Sequence, residues 1–176
     1  NLNISLSDSI GPFSAQFKTS VDFLPKSAEQ KTVKIYQDSS GGDNWKSQNH
    51  VNCRGQVPHN FKGYRFFIDQ ELVEEGARAR PAVQMQSDQI SVTAYMPKFW
   101  QNFPKCIERE GNTLSLKFFP EENLAGYELQ GGEQKTHKFY LDFSQNQSSL
   151  EWIMEPLQVI IPPHVYAKSM AIPWLS

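Results

Sequence analysis

Short runs in which apolar and polar residues alternate recur along the chain, each bounded by Gly, Pro, Asn, Asp or Ser. A period of two sends successive side chains to opposite faces of an extended strand, and aromatic and β-branched enrichment strengthens the assignment. This pattern predicts strands at residues 4–6, 13–17, 33–37, 64–68, 89–95, 114–119, 136–143 and 157–161. The alternation is clearest at 136–143, where His137, Phe139, Leu141 and Phe143 share one parity and Lys138, Tyr140 and Asp142 the other, so the first set should be buried. A helical period is never sustained. The acidic stretch from Glu71 to Glu75 stops at Gly76, with Pro81 soon after, which limits any helix there to a short one. Pro97, Pro104, Pro120, Pro156, Pro162 and Pro163 suit strand ends and loops. The expectation is an all-β fold, an antiparallel β-sandwich with long loops and little helix, either plain or enlarged into a super-sandwich. Residues 1–176 form one such domain. The alternation from Asn1 to Leu6 reads as a strand entered mid-chain, and Pro162-Pro163 as the best candidate for a junction, so the domain is expected to belong to a longer polypeptide.

At 176 residues, with 39% apolar and 20% charged residues, the chain can bury a full core without disulfides or a structural metal. Seventeen basic against 19 acidic residues give a net charge of -2, which argues against nucleic acid as a partner. Apolar runs such as Val159-Ile160-Ile161 are far too short for a membrane helix. Cys53 and Cys106 show no CxxC or Cys/His spacing, so no zinc site is indicated; the two could form one bridge, which the sequence alone does not place, and free, partly buried thiols are the leading expectation. Two cysteines leave both a secreted and a cytoplasmic location open.

Candidate chemistry sits in loops. Gly41-Gly42 is surrounded by Asp38, Asp43, Asn44, Trp45 and His50; a sugar could stack on the Trp45 indole, or the indole could simply be tucked onto the core. Asp38, Asp43 and Asn44 are hard oxygen donors, but they lack the spacing of a calcium loop, so calcium is a weak signal and no cofactor is expected. Arg65, Arg78 and Arg80 are three of the chain's five arginines; Arg78 and Arg80 would share a side in an extended segment and could clamp a carboxylate, or pair structurally with Glu71, Glu74 or Glu75. Trp100, Asn102 and Lys105 lie in a dense aromatic stretch that suits either a core anchor or a ligand platform. Gly131-Gly132 signals a hairpin or bulge, after which Glu133, Lys135 and His137 would share a face and offer the parts for proton transfer. His137 also shares parity with Phe139 and Leu141, which favours an inward structural histidine. No G-x-S-x-G elbow accompanies the serines.

Taken in order, QDSSGGDNW, NHVNCRGQVP, FKGYRF, GARARPAV, FWQNFPK and ELQGGEQKTHKFYLDF resemble the central β-sandwich region of the exo-rhamnogalacturonan lyase and YetA-like family, with FWQNFPK and LQGGEQKTH the closest strings. The resemblance covers residues 36 to 152. It implies a domain between a barrel-like N-terminal domain and a C-terminal α/α toroid, with those neighbouring domains and an acidic polysaccharide or oligosaccharide as partners. No run of toroid helices is present, so activity of this chain alone is not expected. The implied reaction is β-elimination on a uronate. Arg78, Arg80, Lys105 or Lys135 could neutralise the carboxylate, His50 or His137 could take the C5 proton, and Trp45, Asn44 and Trp100 could contact sugar. These roles follow from residue chemistry, not from matched catalytic positions. A carbohydrate-binding module without chemistry and a purely structural scaffold are the alternatives.

Overall fold

In the computed structural model, which describes residues 1–6, 14–18, 26–29, 32–48, 51–87, 90–122, 128–129, 131–143, 153 and 157–169, the described residues form eleven strands in two antiparallel sheets. The strands are β1 (Leu2–Ser5), β2 (Ser14–Lys18), β3 (Lys26–Glu29), β4 (Val33–Gln37), β5 (Tyr64–Ile68), β6 (Glu71–Gly76), β7 (Ala82–Gln86), β8 (Ser91–Tyr95), β9 (Lys105–Glu110), β10 (Thr113–Lys117) and β11 (Tyr140–Asp142), followed by the helix α1 (Pro163–Ser169). One sheet has the order β1-β10-β9-β4-β5-β6 and the other β11-β8-β7-β2-β3. Side chains from both sheets meet in a single apolar cluster: Val33, Ile35, Tyr64, Phe66, Ile107, Leu114 and Leu116 from the six-stranded sheet, Val83, Met85 and Ala94 from the other. Each fully buried side chain of this size contributes about 2 kcal/mol. The fold is an all-β sandwich, as the alternation predicts.

Alternation chooses the inward face. On β4 the core residues Val33 and Ile35 share parity with Gln37, on β5 Phe66 shares it with Tyr64, and on β9 Ile107 shares it with Lys105 and Arg109. The register sets Gln37 opposite both Tyr64 and Lys105. The inward face of this sheet therefore ends, on one side, in a row of three buried residues with polar tips: Tyr64, Gln37 and Lys105. At the far end of β9, Arg109 is also buried and donates its Nε–H to the Gly111 carbonyl at 2.7 Å.

Several strands escape the sequence pattern, β6 and β9 for a physical reason. The acidic stretch Glu71–Gly76 forms the edge strand β6, reached through Asp69 and Gln70, which both hold positive φ (49° and 69°). That is the backbone of a tight hairpin turn, here without the glycine that would announce it; the Thr32 N–H bonds to Asp69 Oδ1 at 3.0 Å and braces the turn. β9, Lys-Cys-Ile-Glu-Arg-Glu, reads as a charged surface segment, yet it is central and buries two of its cations. β3 and β7 are likewise absent from the pattern.

Two expected strands are corrected. Of 136–143 only Tyr140–Asp142 pairs, against β8; Leu141 packs on the core while Phe139 and Phe143 remain exposed. The expected strand at 157–161 does not form: Leu157, Val159 and Ile160 are exposed ahead of α1, whose first residue is Pro163, a position that tolerates proline.

The close approach of the loops after β4 and β6 makes a testable demand on glycine. Gly63 has φ +78°, and a Cβ there would lie 2.0 Å from the Gly76 carbonyl oxygen; Gly111 has φ +55° with nothing within 4 Å. Urea unfolding should show Gly63→Ala losing about 3 kcal/mol or more, and Gly111→Ala only about 1 kcal/mol, the cost of the backbone conformation alone.

Candidate functional site

Register places all the candidate loops at one end of the sandwich. Gln37, Tyr64, Gly76 and Lys105 align across the six-stranded sheet, and Ala82, Tyr95 and Tyr140 align across the other. Residues 38–63, 77–81, 96–104 and the stretch before Tyr140 therefore leave from aligned strand ends. Residues 77–81 and 96–104 each pass from one sheet to the other, which brings both sets of ends together.

Buried polar side chains pin these loops. Gln37 donates its Nε2–H groups to the carbonyls of Ser39 (2.7 Å) and Ala77 (2.9 Å) and accepts from the Ala79 N–H (2.9 Å), which satisfies its whole amide. Asp38 accepts from the Tyr36 hydroxyl (2.8 Å) and from the N–H groups of Asn60 (2.6 Å) and Phe61 (3.0 Å). The Ser39 hydroxyl donates to the Phe61 carbonyl (2.9 Å) and accepts from the Gly63 N–H (2.8 Å). Asp38, weighed as a weak calcium donor, is fully buried, with Oδ1 on the Tyr36 hydroxyl and Oδ2 on the backbone N–H groups of Asn60 and Phe61. Asp43 pairs with Lys62 at 3.0 Å on the surface, and among the described residues no three His, Cys, Asp or Glu side chains gather as a metal site.

Above this network lie the aromatic candidates. Arg78 stacks over the Trp100 ring at 4.2 Å and points its Nε–H towards the Ser40 carbonyl (3.4 Å), so residues 40, 78 and 100 form one surface. Trp45 is half-buried under the Lys46 ammonium at 4.8 Å, and Asn44 is exposed at the turn that precedes it. Ala79 is buried and both Arg78 and Arg80 are exposed, in keeping with the expected alternation, but the two guanidiniums have different neighbours: Arg80 acts on Tyr95, whose phenol burial pushes up and Arg80 draws down. Arg65, the third arginine of the cluster, pairs with Glu75 at 3.4 Å and stacks on Phe61, which is the structural alternative for that residue.

The densest chemistry is at Lys105. Residues 131–139 run beside the 96–104 loop: Lys135 Nζ donates to the Phe103 carbonyl (2.9 Å) and Asn102 Nδ2 to the Thr136 carbonyl (3.3 Å). This sets Lys135 and His137 against Lys105. The Lys105 side chain is fully buried, and its Nζ has no hydrogen-bond partner among the described residues; both ring nitrogens of His137 are likewise buried without one. The His137 ring lies between Phe118 and Phe119, each at 5.1 Å. Burial, reinforced by the Lys135 charge, lowers the Lys105 ammonium to a pKa of about 8. Burial together with Lys105 and Lys135 lowers His137 to about 4, and burial lowers Lys135 against the opposing pull of Glu133. The Lys135 charge thus acts on Lys105 and both lysines act on His137, and an amine close to neutrality in pKa is matched to proton transfer at physiological pH.

The structure thus brings together Lys105, Lys135 and His137 from two separate stretches of sequence, and sets Arg78, from a third, against Trp100 of the Lys105 stretch. His50 lies outside the described residues. Residue types alone did not reveal His59, whose ring packs edge-on against Phe103 at 5.0 Å, or Glu128, which accepts from the Cys53 N–H at 2.7 Å. Both tie the 51–62 loop to this end. Cys53 is exposed and Cys106 buried, both as free thiols; Glu128 and burial raise the former, burial the latter. Comparison with protein-family models, curated proteins and solved structures finds no match.

The lowered pKa of Lys105 fixes the sign of a stability effect. Between about pH 8 and the unfolded value near 10.5 the unfolded chain binds the extra proton, so the burial penalty present below pH 8 is relieved as pH rises. His137 acts at the acid end, where stability is lost as pH falls from about 6.5 towards 4. Urea titrations should show the wild type gaining about 2 to 3 kcal/mol between pH 8 and 10.5 relative to Lys105→Met. The His137 imidazole should titrate by NMR with a midpoint near 4.

Proposed function

We propose that this chain is a β-sandwich domain lining the saccharide cleft of a rhamnogalacturonan lyase-like enzyme that acts on uronates by β-elimination. The observation that carries the reading is the buried amine of Lys105, set beside Lys135 and His137, with no hydrogen-bond partner for its Nζ among the described residues. A buried cation cluster of this kind favours an anion, and the carboxylate of an acidic sugar supplies one. The resemblance of FWQNFPK and LQGGEQKTH supports the same reading, since Lys105 closes the first string and Lys135 and His137 the second.

Within this reading the roles divide by proton affinity. Lys135, held by the Phe103 carbonyl, supplies positive charge to the uronate carboxylate and so stabilises the carbanion that forms at C5. Lys105, as free amine, takes the C5 proton; the C5–H electrons form the new C4=C5 bond while the C4–O bond breaks and its oxygen leaves with a proton from solvent or a neighbouring acid. His137, with its pKa near 4, is neutral at pH 7 but a weak base, so Lys105 is the better acceptor. Arg78 stacked on Trp100 provides an adjoining aromatic and cationic surface for a sugar ring.

A binding module without chemistry is the second reading, favoured by Trp45 and Trp100, both half-buried and each capped by a cation. Calorimetric titration with galacturonate-containing rhamnogalacturonan oligosaccharides, with the absorbance of the new C=C bond followed in the same samples, separates the two. Binding that Lys105→Met weakens at least ~10-fold, equivalent to ~1.4 kcal/mol, is expected for an acidic-sugar site at this lysine. Unsaturated product would place the chemistry within this chain, binding without product would favour the module, and equal affinity for neutral oligosaccharides of the same length would overturn the acidic-sugar reading.

A further inference from the structure

A lysine amine that carries a lone pair can bond to carbon as well as to a proton. We propose that Lys105 is a carbonyl-reactive site, at which a small aldehyde or ketone such as the open-chain end of a reducing sugar condenses to a Schiff base. The inference does not depend on the lyase reading, because it requires only the amine and its immediate neighbours.

A lysine paired with Asp or Glu is held as an ammonium and has no lone pair to offer. Among the described residues Lys105 has no such pair: its side chain is fully buried in the end row of the core, its Nζ has no hydrogen-bond partner there, and the charge that acts on it is the cation of Lys135. A desolvated lysine beside a second cation is the arrangement that activates an amine as a nucleophile. The second cation is itself fixed, with Lys135 Nζ donating to the carbonyl of Phe103, two residues before Lys105. Beside them the His137 ring, wedged between Phe118 and Phe119, presents two nitrogens without hydrogen-bond partners.

These groups account for every proton in the condensation. The Nζ lone pair attacks the carbonyl carbon, a C–N bond forms, and the carbonyl π electrons move to oxygen, which takes a proton from the Lys135 ammonium. The nitrogen of the adduct returns one proton to the now neutral Lys135 amine and so becomes a neutral carbinolamine. The re-formed Lys135 ammonium protonates the hydroxyl, the C–O bond breaks and water leaves as the nitrogen lone pair forms the C=N bond. The Lys135 amine takes the remaining N–H proton, which gives the neutral imine and restores the ammonium. The sum is amine plus carbonyl to imine plus water, with no oxidant or reductant. At pH 7 roughly 10 % of Lys105 is free amine, against roughly 0.04 % for a lysine of ordinary pKa.

The test uses the intact chain incubated at pH 7 with glyceraldehyde and cyanoborohydride, which reduces an imine to a stable secondary amine, followed by peptide mapping by mass spectrometry. Lys105 should be modified at least ~10-fold faster than the exposed Lys46, Lys62 and Lys98. Lys135→Gln should slow that modification by removing the proton donor, and Lys105→Met should abolish the fast adduct while the slow ones remain. Labelling of Lys105 no faster than that of the exposed lysines, the behaviour of an amine sealed in a core, would overturn the proposal without any variant having to fold. An unchanged rate in Lys135→Gln would overturn the role given to that donor.

Discussion

The loop end of this sandwich depends on the burial of three consecutive polar residues, Gln37, Asp38 and Ser39, at the point where β4 runs out. A long loop carries backbone N–H and C=O groups that have to be paired or hydrated, and near a core the water is gone. Here the pairing comes from side chains: the amide of Gln37 binds Ala77 and Ala79, Asp38 gathers the N–H groups of Asn60 and Phe61, and Ser39 bonds at both Phe61 and Gly63. Removing one of these side chains would strand several buried backbone groups together, so the network behaves as a unit. It also fixes the chain where Arg78 departs to meet Trp100.

With the loops held, the last inward row of the six-stranded sheet can be polar. Tyr64 and Gln37 in that row have hydrogen-bond partners, whereas Lys105 Nζ has none among the described residues. Burying an ammonium in this way is costly, and the apolar neighbours that offset the cost lie on the same face: Ile107 on the same strand, with Leu114 and Leu116 on β10. The fold therefore carries a local instability at its loop end that its interior apolar packing sustains. Such a trade is common at sites where reactivity needs a desolvated group.

The sequence was legible where period and burial agree. Val33–Gln37 and Tyr64–Ile68 are predicted to the residue because each buries alternate apolar side chains. β9 was illegible for the reason that makes it interesting: Lys105 and Arg109 occupy inward positions where apolar residues are the rule, so the strand reads as surface. β6 was hidden by a turn made from Asp69 and Gln70 in place of glycine or asparagine. The opposite failure occurs at 157–161, where a β-branched apolar run has strand composition but pairs with no described strand. Of the candidate site, residue chemistry identified Lys105, Lys135, His137, Arg78 and Trp100 individually. Their grouping into two clusters depends on cross-strand register and on the path of residues 131–139, which no local pattern encodes.

Electrostatics then limits how Lys105 can act. An anion close to its Nζ would stabilise the ammonium and raise the pKa, turning a near-neutral base into a permanent cation. Carboxylate recognition and proton abstraction therefore compete if both fall to this one amine. Lys135 removes the conflict: anchored on the Phe103 carbonyl, it can meet an anion while its own charge continues to hold Lys105 down. His137 follows from the same field, since two nearby cations and two phenyl rings keep it neutral, available as a hydrogen-bond donor and acceptor but too weakly basic to replace the lysine. Three nitrogenous side chains that look interchangeable in sequence are thus separated by burial and mutual repulsion into an anchored cation, a neutral ring and an amine within reach of neutrality.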